Sequence, residues 1–423
     1  MSAPRGLARW VDRGLTRGKR LFRPAWQRPA IALAAAHRSR LRDVARVGVT
    51  GSCGKTTTKD LLAAVLATRY PGTKSEDSNN GTYAVARTLL ATSRRSGTCV
   101  VELGAAGPGS LDEPIRLLRP SMGIVTNVGS DHFSAFRGAD GVAEEKGKLV
   151  AALRPDGVAV LNADDPRVLA MIGRCAGRVV TYGLSPAAGV RATDVRAAWP
   201  ERLSFTVVAS GVAASVQTRL CGAHWVHAAL AALAAGESLG VPLAEGARAL
   251  EAVEPWRGRM SPVETDDGVT FIRDEWKAPL WSVPAALEFV RTARAQRKVV
   301  VFGTISDTQG DARSRYREVA EQALDVADHV AFVGRWAGRA RAARRPERLA
   351  DLSTFGTVQQ AAEHLRVFLR SGDLVLLKGS LPADHLERIL LARRETVACW
   401  RTACGRRYFC DGCRLRTIAS PPR

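Results

Sequence analysis

The chain of 423 residues is predicted to adopt an α/β fold with parallel sheets, and two features of the sequence lead to this prediction. Short apolar runs recur along the chain, and segments of helix length separate most of them. Such alternation is typical of parallel α/β sheets. The second feature is a glycine-rich turn between an apolar run and a helix pattern, in VGVTGSCGKTTTKDLL at 47–62. We expect a P-loop parallel-sheet ATPase domain followed by a smaller, Rossmann-like α/β domain.

The apolar runs place the individual strands of this fold. The predicted strands are 47–50, 98–103, 123–127, 157–161, 179–182, 298–303, 329–334 and 373–378. Helices are predicted from about Lys55 onward, in the Ala-rich segment 223–239, and at 283–296 and 314–326. The polar, alternating stretch 190–220 predicts a small antiparallel insertion.

A stretch rich in proline, glycine and charge, EPWRGRM at 254–260, predicts the main domain boundary. With it, the chain divides into four segments. They are a basic N-terminal extension at 1–46, a central ATP-binding domain at 47–255, a C-terminal domain at 256–392, and a cysteine-rich tail at 393–423.

The net charge of +21 is concentrated at the two ends of the chain. Residues 1–46 hold 12 Arg or Lys against two Asp, and the last 31 residues hold 8 Arg. These ends predict either solvated flanks or contact with an anionic partner such as nucleic acid, lipid or a phosphorylated substrate. No apolar run reaches the ~18 residues of a membrane helix, and no signal-peptide pattern is present. We therefore expect a cytoplasmic protein.

The opening turn predicts a nucleotide site, because a glycine-rich loop before a helix directs backbone N–H groups at phosphates. Lys55 is expected to reach the β- and γ-phosphates, and Thr56 to place its hydroxyl on Mg²⁺. Val49 stands where the common motif has its first glycine, so a chance Gly-Lys-Thr turn is the alternative. The residues predicted to bind the cofactor here are Gly51, Ser52, Cys53, Gly54, Lys55, Thr56 and Thr57.

The chain resembles the Mur ligase family from about Val47 to Leu391. The resemblance rests on TKSEDSNNG, VVELGAAGPG, RPSMGIVTNVGSDHF, DGVAEEKGKL, GVAVLNADDPRV, GAHWVHAALAA, GRM, IRDEWKAP and GDLVLLKGS, in this order. The most specific signals are TNVGSDHF, the lysine 14 residues after His132, and LNADD. The resemblance implies an ATP-dependent amide ligase that activates a carboxylate as an acyl phosphate.

Acyl-phosphate chemistry brings two anions, the carboxylate and the γ-phosphate, close together. It therefore needs metal ions and cations, and it does not need a nucleophilic side chain. Glu102 ends a strand near the P-loop and is expected to share Mg²⁺ with Thr56, while His132 follows another strand end and is expected to hold a second ion. The resemblance implies that Lys146 is carbamylated and also binds metal. The alternative is a surface lysine beside Glu144 and Glu145.

The remaining site residues follow from the resemblance. It implies that Arg259 and Asp274 close over the phosphates and ribose, and that Lys277 places the reacting carboxylate. Asn79 and Asn80 are assigned to the substrate. Asn127, Asp164 and His224 are assigned to the nucleotide, with Asp164 and Asp165 facing the ribose or forming an ordinary turn. Arg259 as a plain surface residue is the competing interpretation.

Two departures from the family pattern concern the substrates. Trp225 and Ala228 replace family asparagines near the adenine, and Trp225 is expected to stack on the base. Only ~46 residues precede the P-loop strand, less than an independent domain. We therefore expect an acid and an amine other than the standard UDP-muramoyl peptide pair. The alternatives are the cell-wall enzyme that adds D-Ala-D-Ala to the UDP-muramoyl tripeptide, and a P-loop NTPase that binds nucleic acid or a protein.

The tail CWRTACGRRYFCDGC carries four closely spaced cysteines. Short spacing of four thiols in a cytoplasmic chain favours a structural Zn²⁺ site over disulfides. Free or partly buried thiols are the alternative. The predicted ligands are Cys399, Cys404, Cys410 and Cys413.

Overall fold

The computed structural model describes residues 27–130, 133–308, 310–343, 346–402, 404, 406 and 408–418. The fold is α/β and contains two sheets, one of nine strands and one of six. Its strands are β1 Ala45–Thr50, β2 Gly72–Lys74, β3 Thr98–Glu102, β4 Met122–Val125, β5 Val158–Asn162, β6 Arg178–Gly183, β7 Val190–Arg196, β8 Ser204–Ala209, β9 Val212–Gln217, β10 Ser261–Glu264, β11 Thr270–Asp274, β12 Arg297–Phe302, β13 His329–Val333, β14 Leu352–Phe355 and β15 Asp373–Lys378.

Helices connect these strands and cover the sheets. They are α1 Gln27–Arg38, α2 Lys55–Ala67, α3 Thr82–Ala91, α4 Asp112–Leu118, α5 Phe133–Phe136, α6 Ala139–Ala151, α7 Pro166–Leu169, α8 Val226–Ser238, α9 Leu243–Leu250, α10 Val283–Thr292, α11 Ala312–Leu324, α12 Val358–Phe368, α13 Leu381–Asp384 and α14 Glu387–Arg394. Within the described residues, no helix combines the length and apolar composition that crossing a bilayer demands.

The first sheet has the strand order β2-β3-β1-β4-β5-β6-β7-β8-β9. Pairing is parallel from β2 to β7, and antiparallel from β7 to β9. The antiparallel strands expected at 190–220 are therefore present. They are not a separate insertion, because β7 pairs with β6 and extends the parallel sheet.

The second sheet has the order β10-β11-β15-β12-β13-β14 and is parallel except for β10. Each of the eight predicted strands is present within two residues at either end. The predicted helix at 283–296 ends early, at Thr292, because the next strand begins at Arg297. Strands β2, β10, β11 and β14 were not predicted, since they are short or lie at or next to a sheet edge.

The Ala-rich helix α8 lies in the main core, packed against α2 and the first sheet. Ten of its 13 residues are buried, as expected for a helix that is apolar on all sides. A Cβ atom at Gly236 would lie 2.4 Å from Val65 of α2, so glycine is needed for the close approach of these two helices.

Part of the predicted basic extension belongs to the packed structure. Helix α1 contacts α3 and α4, and Ala34, Leu41 and Val44 join a buried cluster with residues of the first sheet. Strand β1 begins at Ala45. The basic residues before position 27 lie outside the described residues. The prediction of an anionic partner depends largely on them and stays a prediction.

The cysteine-rich tail does not form the predicted zinc site. No three of its four cysteine sulfurs, all of them in described residues, lie within ligand reach of one another. The His385 ring lies between two of them, with Nε2 2.9 Å from Cys404 Sγ and Nδ1 3.5 Å from Cys410 Sγ. The prediction of one Zn²⁺ bound by Cys399, Cys404, Cys410 and Cys413 is therefore wrong, and none of these thiols forms a disulfide.

Candidate active site

A cleft of about 1580 Å³ lies between the two sheets. It lies beyond the carboxyl ends of β3, β4 and β5 and of β11 and β15, where open α/β sheets place ligands. Most of the residues predicted for the site line it. They are Ser52, Cys53, Gly54, Lys55, Asn79, Asn80, Glu102, Asn127, Asp164, His224, Arg259, Asp274 and Lys277.

The loop between β1 and α2 has the geometry of a phosphate cradle. Gly54 has a φ of 80° and precedes α2, so its left-handed backbone turns the chain into the helix. Gly51 has a φ of 146°, and a Cβ there would lie 1.8 Å from the Thr126 hydroxyl. Lys55 Nζ donates to the Gly51 carbonyl at 2.7 Å. Both glycines are therefore required by the loop, which supports a phosphate site over a chance turn.

Asn127 fixes the loop from the neighbouring strand end. Its Oδ1 accepts hydrogen bonds from the backbone N–H groups of Ser52 and Cys53, at 3.1 and 2.8 Å. Asn127 therefore lies beside the glycine-rich loop between β1 and α2, and its side chain holds the backbone of that loop. Thr57 is buried in the first turn of α2 and does not line the cleft.

Glu102 is the centre of a hydrogen-bond network that reaches across the cleft. Its Oε2 accepts from the Thr56 hydroxyl at 2.7 Å, and its Oε1 accepts from Asn80 Nδ2 at 2.9 Å. Arg259 Nη2 donates to the same Thr56 oxygen at 3.2 Å. The contact joins the loop after α9 to the P-loop helix, so Arg259 is not a plain surface arginine.

The charge of Glu102 is set by its surroundings. Burial alone would raise its pKa, but Lys55, Arg259 and the hydrogen bonds from Asn80 and Thr56 outweigh burial and leave the pKa lowered. The ionised carboxylate therefore contributes stability at neutral pH, and this contribution is lost only as the pH falls through the lowered pKa. A buried carboxylate that stays charged is a suitable ligand for Mg²⁺.

Asp274 lies at the end of β11 and faces Lys378 at the end of β15. The Lys378 ammonium donates to Asp274 Oδ2 at 2.6 Å. Burial raises the pKa of Asp274, although Lys378 and Arg259 oppose this effect. Asp274 thus forms an ion pair with Lys378 that was not predicted, and its role at the ribose stays a prediction.

Asp164 and Asp165 have different surroundings. Asp164 lines the cleft and accepts from two backbone N–H groups of the β6–β7 connection and from His227 Nε2 at 2.8 Å. Asp165 caps the short helix α7 and accepts from Val128 N at 2.7 Å. Asp165 also lines the cleft, so the choice between a ribose contact and an ordinary turn stays a prediction.

Lys146 lies on α6 and is buried, with 1% of its surface exposed. The alternative of a surface lysine is therefore wrong. Glu144 does face solvent, where it pairs with Arg174, whereas Glu145 is buried and accepts from the backbone N–H groups of Gly109 and Leu111. Lys146 does not line the cleft. His132 lies outside the described residues, so its predicted metal role stays a prediction.

Comparison with known proteins gives the family. A model of the Mur ligase middle domain matches residues 49–236, and a model described as Mur ligase, glutamate ligase domain, matches residues 258–381. The chain belongs to the Mur ligase family. It is an ATP-dependent peptide ligase of the Mur type. This decides against the alternative of a P-loop NTPase of another class.

The relatives of this Mur ligase include proteins named UDP-N-acetylmuramoyl-tripeptide–D-alanyl-D-alanine ligase. That of Mycobacterium bovis is 33% identical over 358 residues, covering 79% of this chain and 70% of the relative. That of Bacillus subtilis is 28% identical over 338 residues, covering 79% and 72%.

Solved structures confirm the fold. MurF from Acinetobacter baumannii has a TM-score of 0.79 at 24% identity, over 88% of this chain and 81% of that chain. MurF ligase from Thermotoga maritima, in complex with ADP, has a TM-score of 0.77 at 21% identity, over 88% and 84%.

Several residues that line the cleft of this Mur ligase were not assigned from the sequence. Lys378 lies in GDLVLLKGS and Trp276 in IRDEWKAP, two of the segments that carry the family resemblance. Their position in these segments could have indicated that they belong to the site. Trp281 packs against Gly129, and a Cβ atom added at Gly129 would lie 3.0 Å from the Trp281 ring. Phe409 lines the cleft from the cysteine-rich tail, and no local pattern in the sequence indicated that placement.

Proposed function

We propose that this Mur ligase joins D-alanyl-D-alanine to the peptide carboxylate of a UDP-muramoyl substrate, through an acyl phosphate made from ATP. The reaction type is supported by the contact of Arg259, Thr56 and Glu102 across the cleft. The substrates are supported by the 33% identity, over 79% of this chain, to a ligase named for them. We prefer them to the non-standard pair expected above, because that expectation rested on the number of residues before the P-loop.

The phosphates of ATP would lie on the loop between β1 and α2. Lys55 begins α2, whose N-terminus attracts negative charge. Arg259 approaches from the opposite side, and among the described residues its buried Nε has no hydrogen-bond partner. An unsatisfied buried donor is costly unless a ligand satisfies it. We infer that the γ-phosphate lies between Lys55 and Arg259.

The residues at the loop fit a magnesium ion. Thr56 and Glu102 present a hydroxyl and an ionised carboxylate 2.7 Å apart, and both oxygen types are preferred by Mg²⁺. The Asn80 amide donates a hydrogen bond to the other oxygen of the Glu102 carboxylate and so fixes its orientation. When bound, the ion would neutralise charge on the phosphates.

The chemistry then needs orientation of two anions and exclusion of water. A substrate carboxylate oxygen attacks the γ-phosphorus and ADP leaves. The neutral amine then attacks the acyl carbon and releases one proton to solvent, the amide bond forms, and inorganic phosphate leaves with the former carboxylate oxygen. We propose that Lys277 and Arg259 neutralise the approaching carboxylate, and that Asn79 and Asn80 bind the substrate nearby. Electrostatic positioning of this kind supplies a large share of catalysis in phosphoryl transfer.

The nucleoside of ATP would lie along α8. Trp225 and His224 both line the cleft, and burial and the nearby Lys378 and His227 lower the pKa of His224 to about 3. His224 is therefore neutral at physiological pH and adds no cation near the base. We propose that Trp225 stacks on the adenine, while Asp164 and Asp274 face the ribose.

The domain limits are also a proposal. We divide the chain at 255/256, because residues 45–217 form the nine-stranded sheet and residues 261–378 form the six-stranded one. The cysteine-rich tail from 393 follows α14. We place the reaction in the cytoplasm, where ATP is available.

The substrate proposal is tested by product mass. The enzyme is given ATP, Mg²⁺, UDP-muramoyl tripeptide and D-alanyl-D-alanine, with L-alanyl-L-alanine as the matched amine. We expect a product heavier by the dipeptide minus water, with one ADP released per amide, and little product from the L,L isomer. Turnover that requires a different acid or amine would contradict the proposed substrates while leaving the ligase chemistry intact.

Lys146 gives a prediction that tests the carbamate. We propose a carbamate on Lys146 that binds a second metal ion together with His132. Lys146→Ala should then lose most ligase activity and regain part of it with added acetate or formate, because a small carboxylate replaces the missing one. The measurement is amide formation with and without the added acid, at unchanged ionic strength.

The control for this prediction lies two residues further along α6. Lys148 is half-buried and pairs with exposed Asp112 and buried Glu145. It does not line the cleft, so Lys148→Ala should leave activity near normal. Because Lys146 is buried, thermal unfolding of Lys146→Ala is measured beside activity. Full activity in a folded Lys146→Ala enzyme would rule out the carbamate.

A further inference from the structure

Lys59 is a buried lysine that does not line the cleft. It lies on α2, one turn after Lys55, and 1% of its side chain is exposed. Burial lowers its pKa, and the nearby carboxylates of Asp60 and Glu102 oppose this effect. Lysine is almost never buried to this extent unless its ammonium is paired. The partners of Lys59 therefore indicate what the buried charge does.

The Lys59 ammonium makes three contacts, as many as it has N–H donors. Nζ donates to the Ser75 carbonyl at 2.8 Å and to the Asp77 carbonyl, and it lies 3.4 Å from Asp60 Oδ1. Asp77 has a φ of 48°, in the left-handed region that residues other than glycine adopt only when their surroundings hold them there. Lys59 thus fixes the turn at 75–77 to the P-loop helix.

This turn leads into Asn79 and Asn80, and we call residues 75–80 the asparagine loop. Asn80 Nδ2 donates to Glu102 Oε1 at 2.9 Å, and the Asn80 carbonyl accepts from Gly104 N at 3.0 Å. At the start of the loop, the Ser75 hydroxyl accepts from the Glu102 N–H at 3.0 Å. Both ends of the asparagine loop therefore lie against the end of β3, and Lys59 supports the turn between them.

We propose that Lys59 is a positioning residue that keeps the Asn80 amide on the Glu102 carboxylate, and thereby strengthens the binding of Mg²⁺. The inference rests on the proposed reaction, in which Glu102 binds that ion. Without the ammonium, two carbonyls of the loop would lose their donor, and the loop would no longer be held on β3. The carboxylate would then lose the hydrogen bond that fixes its orientation, and oriented carboxylates bind metal more tightly.

The first test is a double-mutant cycle between Lys59 and Asn80, with Mn²⁺ in place of Mg²⁺. Lys59→Met keeps the apolar stem and removes the ammonium, and Asn80→Ala removes the amide. Each change should weaken Mn²⁺ binding to the enzyme with a non-hydrolysable ATP analogue about 10-fold or more, because partners of metal ligands contribute this much. The EPR signal of free Mn²⁺ measures binding, and the analogue alone is the blank.

The double variant decides whether Lys59 acts through Asn80. It should bind Mn²⁺ no more weakly than Asn80→Ala alone, since the amide that Lys59 positions is already gone. Additive losses in the double variant would overturn the inference, and so would wild-type Mn²⁺ binding in a folded Lys59→Met enzyme. Lys298→Met, on the other sheet, is the matched control and should bind Mn²⁺ like the wild type.

The second test leaves Lys59 in place, so it does not depend on the folding of a variant with a changed buried lysine. A Cβ at Gly104 would lie 2.4 Å from Asn80 Oδ1. Gly104→Ala should therefore push the Asn80 amide away from Glu102 and weaken Mn²⁺ binding by a factor similar to that of Asn80→Ala. Wild-type Mn²⁺ binding in Gly104→Ala would overturn the inference.

Kinetics separate this inference from the proposed substrates. With the acid and amine that the wild type accepts, Lys59→Met should need about 10-fold more free Mg²⁺, or a still higher concentration, for half-maximal ADP release, and saturating Mg²⁺ should restore most of kcat. A wild type that rejects D-alanyl-D-alanine would contradict the substrates and leave the Mn²⁺ comparison valid. A loss of kcat in Lys59→Met that saturating Mg²⁺ does not reverse would show a merely structural lysine and overturn the inference.

Discussion

Lys55→Ala is expected to abolish amide formation while the fold persists. The Lys55 ammonium lies at the loop that would hold the phosphates, where it donates to the Gly51 carbonyl at 2.7 Å. Loss of such a cation costs several kcal/mol of transition-state stabilisation, on the order of 10²-fold or more in rate. Steady-state ADP release in the presence of both substrates measures the effect.

The fold should survive Lys55→Ala, because the loop is also held by hydrogen bonds that do not use the lysine side chain. Asn127 accepts from two loop N–H groups, and the Gly129 N–H donates to the Ser52 hydroxyl at 2.7 Å. Lys298→Ala, on a strand of the other sheet, is the matched control and should keep activity. A folded Lys55→Ala enzyme with near-normal turnover would contradict the phosphate assignment.

Arg259→Ala should lower kcat on the order of 10²-fold, the usual effect of removing one donor to developing charge. Arg259 Nη2 contacts Thr56 across the cleft, and its charge helps to keep the Glu102 pKa low. Arg259→Lys should recover only part of the rate, since lysine keeps the charge and loses the planar fork. The measurement separates kcat from the KM for ATP in both variants.

The control for Arg259 is Arg248→Ala, an exposed arginine on α9. It removes the same charge from the chain without touching the cleft, so kcat and KM should stay near the wild-type values. Arg259→Ala with the rate of Arg248→Ala would show that the contact across the cleft serves packing and not the reaction.

The sequence predicted the fold where the signal is local. The P-loop motif predicted the strand, the turn and the helix from Val47 onward, because glycine and the helix N-terminus dictate that geometry over a few residues. Apolar runs predicted the parallel strands because each run is also a signal contained within a few residues. Glu102 could be placed in the site because parallel strands end at one edge of a sheet, whereas Asn127 was assigned from the family resemblance.

Contacts between distant segments were beyond sequence reasoning. Whether Arg259 reaches Thr56, 203 residues away, depends on how the two sheets face each other. Phe409 could not be assigned to the cleft, since its place follows from the path of the whole tail. A surface Lys146 stayed open as the alternative because Glu144 and Glu145 beside it indicated a solvated helix segment, whereas Glu145 turns inward to backbone N–H groups.

The isotope content of the released phosphate tests the central claim, an acyl phosphate formed on the substrate acid. The acid is supplied with its carboxylate labelled with ¹⁸O, and the phosphate is analysed by mass after amide formation. We predict that each phosphate carries one ¹⁸O atom, because the carboxylate oxygen that attacks the γ-phosphorus leaves with it. Unlabelled phosphate, released at the same rate whether or not the acid and the amine are present, would contradict the claim.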